Sequence, residues 1–320
     1  MPGQIAQRRW AAVLVLLVTA LLAAACGSQA GSVSTTPGSA SNDGKLQVVA
    51  SFYPIAYFTE RLGGDAVEVF NPVPPGAEPH DLELSPRTVE RIQDSRLLLY
   101  LSGDFQPAID RALDTLQAQG LQVVEVSEGI AMQPGLAHEG ESADGALDPH
   151  VWLDPRNAKV MVDNIEFALV EANPANEATY RANADALRVD LDELDVQMEQ
   201  GLGACARREI VTSHAAFGYL ARRYGLEEVA ISGLSPEAEP SPARLSEVIR
   251  LVKDRGVTHI FFETLVEPRV AEVIAAETGA ETLVLNPIEG LTEAQAASGA
   301  DYFSLMRENL ANLRTALDCQ

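Results

Sequence analysis

The second half of this chain repeats the first, and the repeat limits the folds open to it. Ser51 answers to Ser213, Tyr57 to Tyr219, Arg61 to Arg223 and Gly63 to Gly225, all at one constant offset. Ala77-Glu78-Pro79 then answers to Ala238-Glu239-Pro240 with the offset shortened by a residue. Each half opens on a short β-branched run (45–50 and 209–212) and enters a helical pattern, through Leu62 in the first and over 213–224 in the second. A glycine stops each helix, and a second strand follows at 67–73 and 229–232. Two units of one design are expected.

Both units go on alternating. The first reads as helix 85–93, strand 97–101, helix 106–118 and strand 123–126. The second reads as helix 241–255, strand 258–262, helix 268–278 and strand 282–285. Strands that are mostly continuous apolar runs, alternating with helices, predict parallel sheets covered on both faces. Ligands of such sheets collect beyond the carboxyl ends of the strands. Between the units lie helical patterns over 157–171 and 175–202, separated by Asn173-Pro174. The second carries Leu187, Leu191, Leu194 and Met198 at helical spacing and has no Pro or Gly before Gly201. At 1.5 Å per residue it would be about 40 Å long, a stiff strut running the height of both units. The expected fold class is α/β: two lobes of mostly parallel sheet flanked by helices, joined by one long rigid helix, with the ligand site in the interlobe cleft.

The N-terminus addresses the chain out of the cytoplasm. Arg8 and Arg9 precede an apolar run, Ala11 to Leu22, that is short for a membrane span, and Ala23-Ala24-Ala25-Cys26 follows. This resembles a bacterial lipoprotein signal, with cleavage before Cys26 and lipid on its sulfur, although Ala23 stands where Leu is usual. An ordinary secretory signal or an anchor helix would give the same compartment. The next stretch, to Lys45, is rich in Ser, Gly, Thr and Pro and cannot offset its ordering entropy by burial, so a flexible tether is expected. The expected layout is signal 1–25, tether 26–45, N-terminal lobe 46–173, linking helix 174–203 and C-terminal lobe 204–320. A net charge of −23 argues against nucleic acid and suits a cationic ligand. Cys205 and Cys319 are the two cysteines beyond Cys26, and in an oxidising compartment they are expected to form one disulfide.

Of five histidines, three fall in predicted strand-to-helix loops. His80 follows the rigid Pro74-Pro75-Gly76-Ala77-Glu78-Pro79 loop. His150 sits between Asp148-Pro149 and Asp154-Pro155, where each proline fixes its own φ and pushes the preceding aspartate toward extended backbone. His214 follows the strand that ends at Thr212-Ser213. All three should face the cleft from the same edge of their sheets, a natural site for Zn²⁺, which takes nitrogen ligands and wants four partners. His259 reads as a packed strand residue, Trp152 as packing beside the site, and Glu263 as an acceptor for an imidazole N–H. His138, among Glu139, Glu141 and Asp144, reads as part of a solvated acidic loop.

Together these stretches resemble the zinc/manganese class of solute-binding proteins that serve ABC importers. The resemblance covers Lys45 to Leu317. It rests on Val48 to Pro54, Gly76-Ala77-Glu78-Pro79-His80-Asp81, Asp148 to Pro155, and Thr212-Ser213-His214-Ala215-Ala216-Phe217-Gly218-Tyr219. It implies two α/β lobes joined by a long helix, with His80, His150 and His214 as metal ligands and Zn²⁺ as cargo passed to a permease in the membrane. The third ligand is a glutamate in manganese-preferring relatives, so His214 favours zinc, in keeping with the softer imidazole donor. The usual fourth ligand, an aspartate, is replaced by Asn286 in Leu285-Asn286-Pro287. Asn286, a water or nearby Glu289 could fill that place. The chain is expected to act as a monomer tethered through Cys26, and not as an enzyme.

Two other classes remain open on sequence. A zinc hydrolase would need a general base, which Glu263 or Glu289 could supply, but no His-Glu-x-x-His helix and no nucleophile pair stand out. A surface adhesin would show an exposed aromatic or repeat-rich surface, and none is evident.

Overall fold

The computed structural model describes residues 44–103, 105–135 and 147–320. The proposed signal and Cys26 lie outside the described residues, as does the segment bearing His138. Two four-stranded sheets carry the fold. The first holds β1 (Leu46–Ala50), β2 (Val67–Phe70), β3 (Leu97–Tyr100) and β4 (Gln122–Glu125) in the order β2-β1-β3-β4. The second holds β5 (Glu209–Thr212), β6 (Glu227–Ala230), β7 (His259–Phe262) and β8 (Glu281–Val284) in the matching order β6-β5-β7-β8. Every pairing is parallel. The repeated sequence therefore builds a repeated topology.

Strand alternation shows why these runs read as continuously apolar. Val48, Ala50, Leu97 and Leu99 face an inner core, while Val49 and Leu98 pack outward on Ile92, Ile109 and Leu116. In the second lobe Ile210 and Phe261 face inward, while Val211 and Ile260 pack outward on Val248, Val252 and Ile274. With both faces covered, successive residues are all apolar.

Helices α1 (Tyr53–Gly63), α2 (Pro86–Gln93) and α3 (Pro107–Ala118) cover the first sheet, followed by α4 (Pro155–Ala172). The strut is α5 (Glu177–Leu202), 26 residues. Its Leu187, Leu191, Leu194 and Met198 are wholly buried, in the same cluster as β1 of one lobe and β5 of the other. The strut is thus part of one core that crosses from lobe to lobe. Helices α6 (Gly218–Tyr224), α7 (Pro242–Arg255) and α8 (Arg269–Thr278) cover the second sheet. Two further helices, α9 (Glu293–Ser298) and α10 (Tyr302–Leu317), close the chain, each opened by a capping box at Thr292 or Asp301. Cys205 and Cys319 form a disulfide that ties the end of α10 to the start of the second lobe. Among the described residues no helix is long and apolar enough to cross a membrane.

Helices α9 and α10 go beyond the sequence expectations, and one expected helix starts late. The helix expected from Ser213 starts only at Gly218. The intervening backbone is engaged elsewhere: Ala215 N–H donates to Gly233 O at 2.9 Å and Phe217 N–H to the Glu228 carboxylate at 3.0 Å. That keeps His214 in a loop at the mouth of β5.

Candidate metal site

Each site residue lies in a loop after a strand or in the turn before α4. His80 comes from the loop after β2, His150 from the turn before α4, His214 from the loop after β5 and Glu289 from the loop after β8. Their ligand atoms all lie within 4.8 Å of one another, and the group could hold a metal ion. Glu289 Oε1 lies 3.6 Å from His80 Nε2, 3.2 Å from His150 Nε2 and 3.3 Å from His214 Nε2, and the last two nitrogens are 3.2 Å apart. Donors held at roughly 2.0–2.1 Å from a tetrahedral ion sit about 3.3 Å from each other, close to these four separations. His150, His214 and Glu289 are almost fully buried. His80 Nε2 and both Glu289 oxygens are buried without a well-directed hydrogen bond. Buried polar atoms left in that state are expensive unless something else engages them.

The far sides of two of the imidazoles, those of His150 and His214, are fixed. His150 Nδ1 lies 2.8 Å from Asp148 Oδ1, and the same oxygen accepts the His150 backbone N–H at 2.9 Å. His214 Nδ1 lies 2.6 Å from Glu263 Oε1, which also takes the His214 N–H at 3.2 Å. A carboxylate on Nδ1 holds the proton there and leaves the Nε2 lone pair for a metal. The expected role of Glu263 matches this geometry. Asp148 was not read that way, though an aspartate two residues before a histidine, held by Pro149, was a signal available in the sequence.

These partners also set the charges. Burial works against a charged His214, but Glu263 and Glu289 outweigh it, so its pKa is raised well above the ordinary imidazole value. His150 is raised in the same way, burial being overcome by Asp148 and Glu289. For His80 burial wins and the pKa is lowered. Burial alone would raise Glu289, yet the three imidazoles hold it well below the usual carboxylate range. Glu78, half-buried and under the influence of the Glu289 charge, is pushed up to about 9. The shifts of His150, His214 and Glu289 thus share one cause, the close packing of imidazoles and carboxylates in this cluster.

Asn286, the other residue expected as a fourth ligand, stands in the same loop as Glu289. Its Oδ1 accepts the Ile288 N–H at 2.7 Å, and its backbone is clamped by Asn309, which accepts from Asn286 N at 2.8 Å and donates to Asn286 O at 2.7 Å. That turn puts Ile288 at φ 58°, a strained conformation for a β-branched residue, with its side chain wholly buried. The turn delivers the next residue, Glu289, to the histidines. Asn286 thus shapes the loop that carries Glu289, its amide oxygen accepting within the turn. Trp152 packs as read, its ring 5.3 Å from that of His150 and its Nε1 donating to Pro287 O at 2.7 Å. His259 is a half-buried strand residue and makes no contact with the cluster.

The family model of the zinc-uptake complex component A, periplasmic (ZnuA), matches residues 48–316. The chain belongs to that family. Within the family's reach are the high-affinity zinc uptake system protein ZnuA of Bacillus subtilis, 36% identical over 97% of this chain and 98% of its own length, and the zinc-binding lipoprotein AdcA of Streptococcus pneumoniae, 38% identical over 86% of this chain. The chain spans 56% of the length of that AdcA. A crystal structure of the Zn(II)-bound ZnuA-like domain of the same AdcA superposes with a TM-score of 0.75 over 86% of this chain and all of that one, at 38% identity. The two lobes of parallel sheet and the long linking helix are those of the ZnuA family. It is a family of zinc-uptake components rather than of enzymes, which removes the hydrolase reading.

Proposed function

We propose that this protein captures Zn²⁺ outside the cytoplasm and delivers it to the permease of an ABC importer. The single observation that carries the reading is the buried convergence of three Nε2 atoms and one carboxylate oxygen, drawn from both lobes, at the spacing of a tetrahedral ion. His80, His150, His214 and Glu289 would be the four ligands. Four protein donors leave no open position for a reacting water, which suits cargo and not catalysis. Three imidazoles favour zinc over manganese, a harder ion that prefers oxygen.

On this reading, residues 1–25 are a signal, Cys26 carries the lipid, 26–45 tether the protein to the membrane, and the lobes 46–173 and 204–320 work as a monomer around the linking helix 174–203. Metal would bridge the lobes. Release would follow from small tilts that separate the two donors of each lobe, since the strut is packed in the shared core and cannot act as a hinge. The test is metal analysis of protein purified without chelator, then competition between Zn²⁺ and Mn²⁺. Stoichiometric zinc that manganese fails to displace is the expected result. Protein that binds neither ion, or holds manganese in preference, defeats the reading.

A further inference from the structure

Helix α6 of the second lobe holds the turn that carries His150 of the first. Tyr219 and Arg223 lie four residues apart, on one face of that helix. The Tyr219 hydroxyl donates to Asp148 O at 2.9 Å and accepts the Gln133 N–H at 2.9 Å. Arg223 donates to Asp154 Oδ2 from Nε at 2.8 Å and from Nη2 at 2.6 Å. Asp148 and Asp154 flank His150, so the helix grips its turn at both ends. At the Asp148 end the helix start itself comes close: a Cβ on Gly218 would lie 2.8 Å from Asp148 Oδ2. The same helix begins four residues after His214. One short rigid element therefore connects the two histidines whose Nε2 atoms stand 3.2 Å apart.

We propose that Tyr219 and Arg223 are positioning residues for the metal: they fix the separation of His150 and His214 across the lobes, and through it the rate at which bound metal leaves. The inference rests on the zinc-capture reading above. Its internal control is the first lobe, where the repeat supplies the same pair, Tyr57 and Arg61, on α1. There Arg61 meets Asp190 of the strut at 2.7 Å, and the Tyr57 hydroxyl lies 3.3 Å from Asp301. None of these four residues flanks a histidine of the site. The Arg223 grip borders a cavity of about 320 Å³ and its side chain is 31% exposed, so removing it empties no packed core.

The test uses the zinc-loaded protein, with release followed by transfer to a chelator, and the cobalt-loaded protein, whose visible absorption reports ligand geometry. Groups that support a metal's ligands typically cost ten- to a hundred-fold when removed, and Arg223→Met should speed Zn²⁺ release about tenfold, the low end, since it acts through Asp154. Tyr219→Phe should act in the same direction, Arg223→Lys should restore part of the loss, and the first two should alter the Co²⁺ spectrum. Arg61→Met should leave both readouts as in the wild type. Wild-type release and spectrum in both Arg223→Met and Tyr219→Phe overturn the proposal, as does equal acceleration by Arg61→Met. If Arg223→Met fails to fold, Tyr219→Phe and Arg223→Lys decide by the same criteria. Wild-type protein that holds neither Zn²⁺ nor Co²⁺ defeats the capture reading itself, whereas binding with indifferent variants defeats only this inference.

Discussion

The two lobes share strand order, register direction and much of their helical covering, yet they furnish the site from different places. In the first lobe the residue after the β1 serine is Phe52, wholly buried against Phe105 and Trp152. Its counterpart in the second lobe is His214, at the centre of the site. The relation reverses one loop later. Ala77-Glu78-Pro79 leads to His80, whereas Ala238-Glu239-Pro240 leads to Ser241, an exposed residue that caps α7 by accepting the Arg244 N–H at 3.1 Å. The duplicated fold thus offers equivalent loops at the cleft, and single side chains decide which of them joins the cluster. A buried aromatic and a helix cap occupy the positions left over.

That asymmetry is sharpest at the proposed ligands. Replacing His80, His150, His214 or Glu289 by a non-ligating residue should weaken Zn²⁺ binding by more than the ~10–100-fold that a supporting partner costs. Phe52→His, at the mirror position, should create no second site, as titration with Zn²⁺ would show; a second equivalent bound would break the comparison. Next come the carboxylates behind the rings. Asp148→Asn and Glu263→Gln should each lower affinity by about 10–100-fold, because the imidazole loses the partner that holds its tautomer. Equal affinities by competition titration would show that ring orientation is fixed by packing alone.

Acidity tests the same two histidines together. Zinc requires neutral imidazoles, and those of His150 and His214 are raised above 6.5. Affinity should therefore begin to fall while the pH is still above 6.5, with His80 contributing only at lower pH because its value is lowered. The metal-free fold has its own signs. The raised histidines contribute stability that is fully present below 6.5 and is lost as pH rises through their folded values, while Glu289 contributes above 4.5 and is lost as pH falls. Zinc titrations across this range, with thermal unfolding of the apo protein beside them, would check both signs. An affinity flat down to pH 6.5 contradicts the first.

Smaller effects separate the lobes away from the metal. The disulfide belongs to the second lobe, and the 114-residue separation of Cys205 and Cys319 should make its reduction cost about 2–5 kcal/mol of stability. Zinc affinity measured under native conditions should hardly change. Smallest is Ser241→Ala, which should cost about 1 kcal/mol for the lost cap and leave zinc binding untouched, in contrast to His80→Ala at the matching position. A loss of zinc binding in Ser241→Ala would place the second lobe's loop in the site after all.

How much of this was legible follows from which contacts are local. The strands, their parallel pairing and the strut could be read because apolar runs, glycine stops and the spacing of Leu187, Leu191, Leu194 and Met198 are properties of neighbouring residues. The loop positions of His80, His150 and His214 could be read for the same reason. The delayed start of α6 could not, because Glu228 and Gly233, which take the competing N–H groups, come from a different strand and loop. The helices α9 and α10 were missed although Thr292 and Asp301 carry local capping signals.

By itself the sequence determined two α/β units, a rigid link between them and three histidines at the sheet edges, since each depends on a pattern a few residues long. Tertiary structure decided the fourth member of the cluster. Asn286 and Glu289 are three residues apart in one loop, and either could have faced the histidines. Asn309, in α10, captures the Asn286 backbone, the Asn286 side chain closes the turn, and the strained Ile288 aims Glu289 inward. A side chain's direction in a turn is set by what the rest of the molecule offers its backbone, and that choice is made only when distant helices arrive.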